Sequence, residues 1–182
     1  MKELALNIMD IAQNSIRAKA DHIVIAVKES VTDDSLIITI TDNGMGIPKN
    51  MLKNVTDPFV TSRTKRKVGM GLAFLSQHAE LAGGKLTISS KEYGGTCVKA
   101  IFSLNHIDRQ PLGDIAGVIK LIVMANPKIE IEYFHKTDIG EFSVKTSEIR
   151  QVFEVKELND NVLMEDIRKM IRGNLMEIGT VA

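Results

Sequence analysis

Apolar residues recur at helical spacing from the start of the chain: Leu4, Ile8, Ile11, Ala12 and Ile16 share one face and predict a helix over residues 2–19. The period then falls to two. "HIVIAVKE" and "SLIITITD" alternate as strands do, and Asp33-Asp34 supplies turn chemistry between them, so a hairpin is predicted. Residues 48–70 are irregular and polar, a connection of the length usually kept for function. "LAFLSQHAELA", residues 72–82, returns to helical spacing and stops at Gly83-Gly84. "KLTISS" and "TCVKAIFSL" follow as strands joined through Tyr93-Gly94-Gly95. Helix, hairpin, loop, helix, hairpin is the order of an α+β fold built as a two-layer α/β sandwich.

The pattern changes after residue 105. A helix is predicted over 113–125, ended by Asn126-Pro127, then strands "KIEIEYFHK" and "EFSVKTSE" around Thr137-Asp138-Ile139-Gly140. The tail repeats apolar residues helically, with Leu163, Ile167, Met170 and Ile171 on one side. The chain thus divides into residues 1–105 and a small C-terminal α+β extension, 106–182, expected to pack on the first part, form a homodimer or hold a protein partner.

Composition narrows the classes. With 44% hydrophobic and 25% charged residues, the chain has the make-up of a soluble globular protein. A formal net charge of zero gives no overall field, so nucleic acid is not the expected partner and any basic site is local. The single cysteine, Cys97, excludes an intrachain disulfide and a cysteine-pair metal site, and makes the cytoplasm the expected compartment. No membrane segment is expected, since "AGVIKLIVMA" is interrupted by Lys120 and is shorter than the ~20 residues a bilayer needs.

Three features stand out chemically. Asp42 shares the strand face of Leu36, Ile38 and Ile40, and a carboxylate pointing inward has to be hydrogen-bonded, metal-bound or aimed at a ligand. Thr96 lies on the face of Val98, Ala100 and Phe102. Asp10, Asn14 and Arg17, at i, i+4 and i+7, line one side of the first helix; this is either a solvated face or the oxygen ligand and cation that a magnesium-phosphate group wants. "RTKRK", holding Arg63, Lys65, Arg66 and Lys67, runs up to Gly69 and Gly71, where a helix start favours anions.

These pieces resemble the GHKL ATP-binding fold shared by DNA gyrase, heat-shock chaperones, histidine kinases and mismatch-repair ATPases. "DIAQNSIRAKA" looks like the N box, "DNGMGIP" the first glycine box, "DPFVTSR" the F box, and the stretch opening "VGMGLAF" the second glycine box. The resemblance implies ATP or ADP as ligand and Mg²⁺ as cofactor. Asp42 would take the adenine amino group, with Thr96 assisting through water, and Gly44 and Gly46 would let the backbone pass beneath the base. Asn14 would ligate Mg²⁺, and Arg17 matches the basic residue of kinase N boxes. Phe59, Thr61, Gly69, Met70, Gly71 and Leu72 would belong to the ATP pocket and its lid, with Arg63 contacting phosphate. Asp10 stands where hydrolytic members carry a glutamate base, so it is a candidate general base. Arg17 and the short lid lean toward the histidine-kinase branch, implying a kinase, an ATPase or a nucleotide sensor in signal transduction. The chain starts near the N box, and none of His22, His78, His106 and His135 precedes an acidic residue, so ordinary self-phosphorylation is not expected.

Overall fold

A computed structural model describes residues 3–52 and 70–181. Its elements are α1 (Leu4–Arg17), β1 (His22–Ser30), β2 (Ser35–Asp42), α2 (Lys49–Leu52), α3 (Met70–Leu81), β3 (Lys85–Ser90), β4 (Thr96–Ser103), α4 (Ile115–Ala125), β5 (Glu130–Lys136), β6 (Glu141–Lys145), α5 (Thr146–Val152) and α6 (Asn161–Glu177). The six strands form one sheet in the order β3-β4-β2-β1-β5-β6. Every neighbouring pair is antiparallel except β1 with β5, which is parallel. The fold is therefore α+β, with helices layered on a sheet.

The alternation in the strands decides which face is covered. Ile23, Ile25 and Val27 of β1 and Leu36, Ile38 and Ile40 of β2 are buried, while the residues between them are partly exposed. Leu4, Ile8, Ile11 and Ala12 of α1 meet this inner face, and Leu75 and Ala79 of α3 join them. Beyond residue 105 the same core continues. Ile131 and Tyr133 of β5 are buried with Ile119 and Val123 of α4 and Ile167 and Ile171 of α6. α4 lies between α1 and α6, and its one interior charge, Lys120, pairs with Glu165 at 2.8 Å. Among the described residues, no helix is long and apolar enough to cross a membrane.

The structure departs from the sequence pattern in three places. α2 lies in a stretch read as irregular. The second strand of the C-terminal pair stops at Lys145, because the Glu130 carboxylate accepts from Thr146 Oγ1 at 3.0 Å and from the Ser147 N–H and hydroxyl at 3.0 and 2.7 Å, which starts α5 there. On α6 the inward side is held by Met164, Ile167, Ile171 and Leu175, while Met170 is 41% exposed.

A polar chain is buried at the far end of β1. Tyr133 Oη lies 2.6 Å from His135 Nδ1, and His135 Nε2 lies 2.7 Å from Glu29 Oε1. The Val181 N–H donates to Glu29 Oε2 at 2.8 Å and pins the chain end. Burial pushes the Glu29 carboxyl up, but the bonds from His135 and the Val181 N–H outweigh it and hold it below the usual glutamate range. A lowered folded-state pKa stabilises the fold above the unfolded value of about 4.3, and that contribution is lost as pH falls through the folded value. Glu29→Gln should cost about 1.5 kcal/mol in urea unfolding at neutral pH and flatten the decline of stability in acid.

Candidate functional site

Asp42 ends β2, half-buried on its inner face, opposite Ile23 of β1 and Thr96 of β4. Both carboxylate oxygens are engaged. Ser15 Oγ donates to Oδ2 at 2.6 Å and the Gly44 N–H donates to Oδ1 at 2.9 Å, so the group is fixed in direction while each oxygen keeps a lone pair. Thr96 Oγ1 lies 2.9 Å from Ser90 Oγ, and Ser90 in turn accepts from the Ile47 N–H at 2.8 Å.

Ser15 was not singled out by the sequence reading. It is 3% exposed and sits on the apolar stripe, four residues after Ile11. That is the signal that marks it: a polar residue in register with Ile8 and Ile11 needs a partner inside the fold. If Asp42 takes the nucleotide that the resemblance implies, Ser15→Ala should leave the fold intact and weaken its binding roughly fivefold, about 1 kcal/mol, by removing one of the two bonds that fix the carboxylate. Isothermal calorimetry reads this directly.

The glycine strip after Asp42 is stitched between two elements. The Met45 N–H donates to Ala18 O at 2.7 Å, at the end of α1, and the Tyr93 N–H donates to Met45 O at 2.7 Å, from the β3–β4 turn. A Cβ on Gly44 would stand 2.7 Å from Ala18 O, and Gly46 has φ +68° with the Lys91 carbonyl against it. The protein's own backbone therefore demands both glycines, whatever lies above them.

On α1, Asn14 and Arg17 are exposed, and Arg17 Nη1 donates to Asn14 Oδ1 at 3.0 Å. Asp10 is half-buried; burial raises its carboxyl above the usual aspartate range, partly offset by Arg17. The start of α3 abuts it: a Cβ on Gly71 would stand 3.1 Å from Asp10 Cβ and 3.4 Å from its Oδ2. Leu72 packs on the core from the same turn. Asp42, Thr96, Gly44 and Gly46 thus gather at one corner, while Asp10 meets Gly71 along α1. Phe59, Thr61, Arg63 and Gly69 lie outside the described residues, as do Lys65, Arg66, Lys67 and the side chain of Met70.

The chain is 28% identical over 106 residues to the sensor histidine kinase ZraS of Escherichia coli (strain K12), covering 58% of this chain and 23% of that one. It is 31% identical over 96 residues to the sensor histidine kinase TmoS of Ectopseudomonas mendocina, covering 50% and 10%. Sporulation kinase D of Bacillus subtilis (strain 168) is 32% identical over 89 residues, covering 49% and 17%. The chain thus spans under a quarter of the length of these relatives. A crystal structure of the N-terminal domain of a DNA repair protein superposes with a TM-score of 0.53 at 18% identity, covering 80% of this chain and 52% of that one, and shares the fold. The family model described as "Histidine kinase-, DNA gyrase B-, and HSP90-like ATPase" matches residues 2–106, so the chain belongs to that ATPase family.

Proposed function

We infer that this chain is an ATP-binding signalling protein that takes Mg-ATP at the Asp42 corner and hands its terminal phosphate to a protein partner. The observation that carries the reading is the Asp42 carboxylate, held from both sides by Ser15 and the Gly44 N–H above a strip where Cβ atoms do not fit. Such a carboxylate can accept from an adenine amino group without reorganising. Thr96, in register with Asp42 and already bonded to Ser90, would support the same contact through water.

Asn14 presents an oxygen at the surface of α1, and Arg17 both orients it and adds positive charge, which fits a magnesium-phosphate group. When bound, Mg²⁺ neutralises and orients the phosphates. Gly71 and Leu72 would edge the phosphate side, and Phe59, Thr61, Arg63, Gly69 and Met70 would complete the lid. The cytoplasm is the compartment in which such a component would work.

A second reading, a conformational ATPase, is favoured by one observation: the raised Asp10 carboxyl is a better proton acceptor than an ordinary aspartate. Asp10→Asn separates the two. If Asp10 is a base, the variant should lose slow phosphate release while its ATP affinity stays within about threefold, roughly 0.6 kcal/mol. If the chain is a kinase, terminal-labelled ATP should leave its label on a partner protein. Tight binding with neither product would contradict both.

A further inference from the structure

The helices bury one face of the sheet, and the other carries a patterned surface. Strand register places Ile101 of β4 beside Ile37 of β2, and Ala26 of β1 beside Phe134 of β5, one step along. These four half-buried residues form an apolar stripe that runs obliquely across four strands. At roughly 4.8 Å per strand, with one step of roughly 6.7 Å along them, the stripe is roughly 16 Å long, the reach of about eleven helical residues.

Charge flanks the stripe on both sides. The two rows of the stripe and the next row toward Glu132 together carry five lysines, Lys28, Lys85, Lys99, Lys136 and Lys145, and two glutamates, Glu132 and Glu141. Lys136 pairs with Glu141 and Lys145 with Glu132, each at 3.1 Å. Lys28, Lys85 and Lys99 are exposed and form no ion pair among the described residues. Register puts Lys99 below the stripe at the β4 end and Lys28 above it at the β1 end. A chain of zero formal charge therefore concentrates unpaired positive charge around one apolar strip.

We propose that this open sheet face docks an amphipathic helix of a partner protein, its apolar ridge on the Ile101–Ile37–Ala26–Phe134 stripe and acidic residues on both flanks meeting Lys99 and Lys28. An apolar centre with a charged rim is the anatomy of a protein interface. A second copy of this chain is a poor occupant, because two such faces would set lysine against lysine. Nucleic acid is a poorer fit too, since the strip has one aromatic ring and the rows carry no arginine.

The test uses the full chain and two synthetic helical peptides, with leucines at i, i+4, i+7 and i+11 and either glutamates or lysines on both flanks. Amide shifts in ¹⁵N spectra locate binding. The glutamate peptide should move the amides of Ile37, Ile101 and Ala26, and Lys28→Glu with Lys99→Glu should weaken it at least tenfold without changing ATP affinity. Both lysines are exposed, and a Lys28→Gln/Lys99→Gln pair provides the milder variant, expected to weaken binding about threefold. Equal binding of the lysine peptide, or shifts confined to other surfaces, would overturn the proposal. So would tighter binding to a DNA duplex or to phosphatidylglycerol vesicles that the charge reversal abolishes, which would assign the face to nucleic acid or membrane.

Discussion

Asp42→Asn should reduce ATP affinity from tenfold to more than a hundredfold and leave the protein folded. The contact proposed there is a charge-assisted hydrogen bond to the base, which would be worth about 1.5 to 3 kcal/mol. The variant keeps its shape because the amide can satisfy both neighbours: its oxygen still accepts from the Gly44 N–H, and its NH₂ faces Ser15 Oγ, which can accept as well as donate. What it cannot do is accept a second time at the position lost to nitrogen. On the proposed reading, an adenine amino group taken at that oxygen would meet a donor, so the loss should exceed that of Ser15→Ala, where the carboxylate survives. Calorimetry on both variants gives the order, and a weaker effect at Asp42 than at Ser15 would mean the carboxylate serves the fold alone.

Gly95→Ala should be the more damaging change to the protein itself, lowering stability by about 3 kcal/mol in urea unfolding. Gly95 has φ +84°, and a Cβ there would lie 1.9 Å from Asp42 O, a backbone atom of β2 that cannot step aside without moving the carboxylate. Gly95 O also accepts from Ser90 Oγ at 2.9 Å, so the turn, Ser90 and Thr96 shift together. Nucleotide affinity should fall with stability. Gly94→Ala is the milder comparison: the nearest neighbours of its Cβ would be Cδ, Cβ and Cγ of Lys91, at 3.1 to 3.2 Å, with no backbone carbonyl among them, so a shift of a few tenths of an ångström relieves it.

Much of this fold was legible because its signals are local. Period two in "LIITITD" placed Asp42 on the inner face with no knowledge of partners, and the structure buries that side. Gly83, expected to stop the helix before β3, has φ +71° and does so. Signals that depend on distant partners were not legible. The strand reading ran past Lys145 because its limit is set by Glu130 on another strand. The parallel pairing of β5 with β1 joins residues more than one hundred positions apart, and no periodicity encodes it. Ser15 is marked by a different signal: it lies on the apolar stripe of α1 and not on the polar one, and only the fold brings Asp42 to its hydroxyl.

The central claim is that the Asp42 corner is a nucleotide pocket completed by magnesium. Titration of ATP into the full chain by calorimetry, with and without Mg²⁺, tests it most directly. One saturating site per chain, tightened by the metal and lost in Asp42→Asn, is the predicted result. No heat of binding from folded protein under either condition would contradict the account.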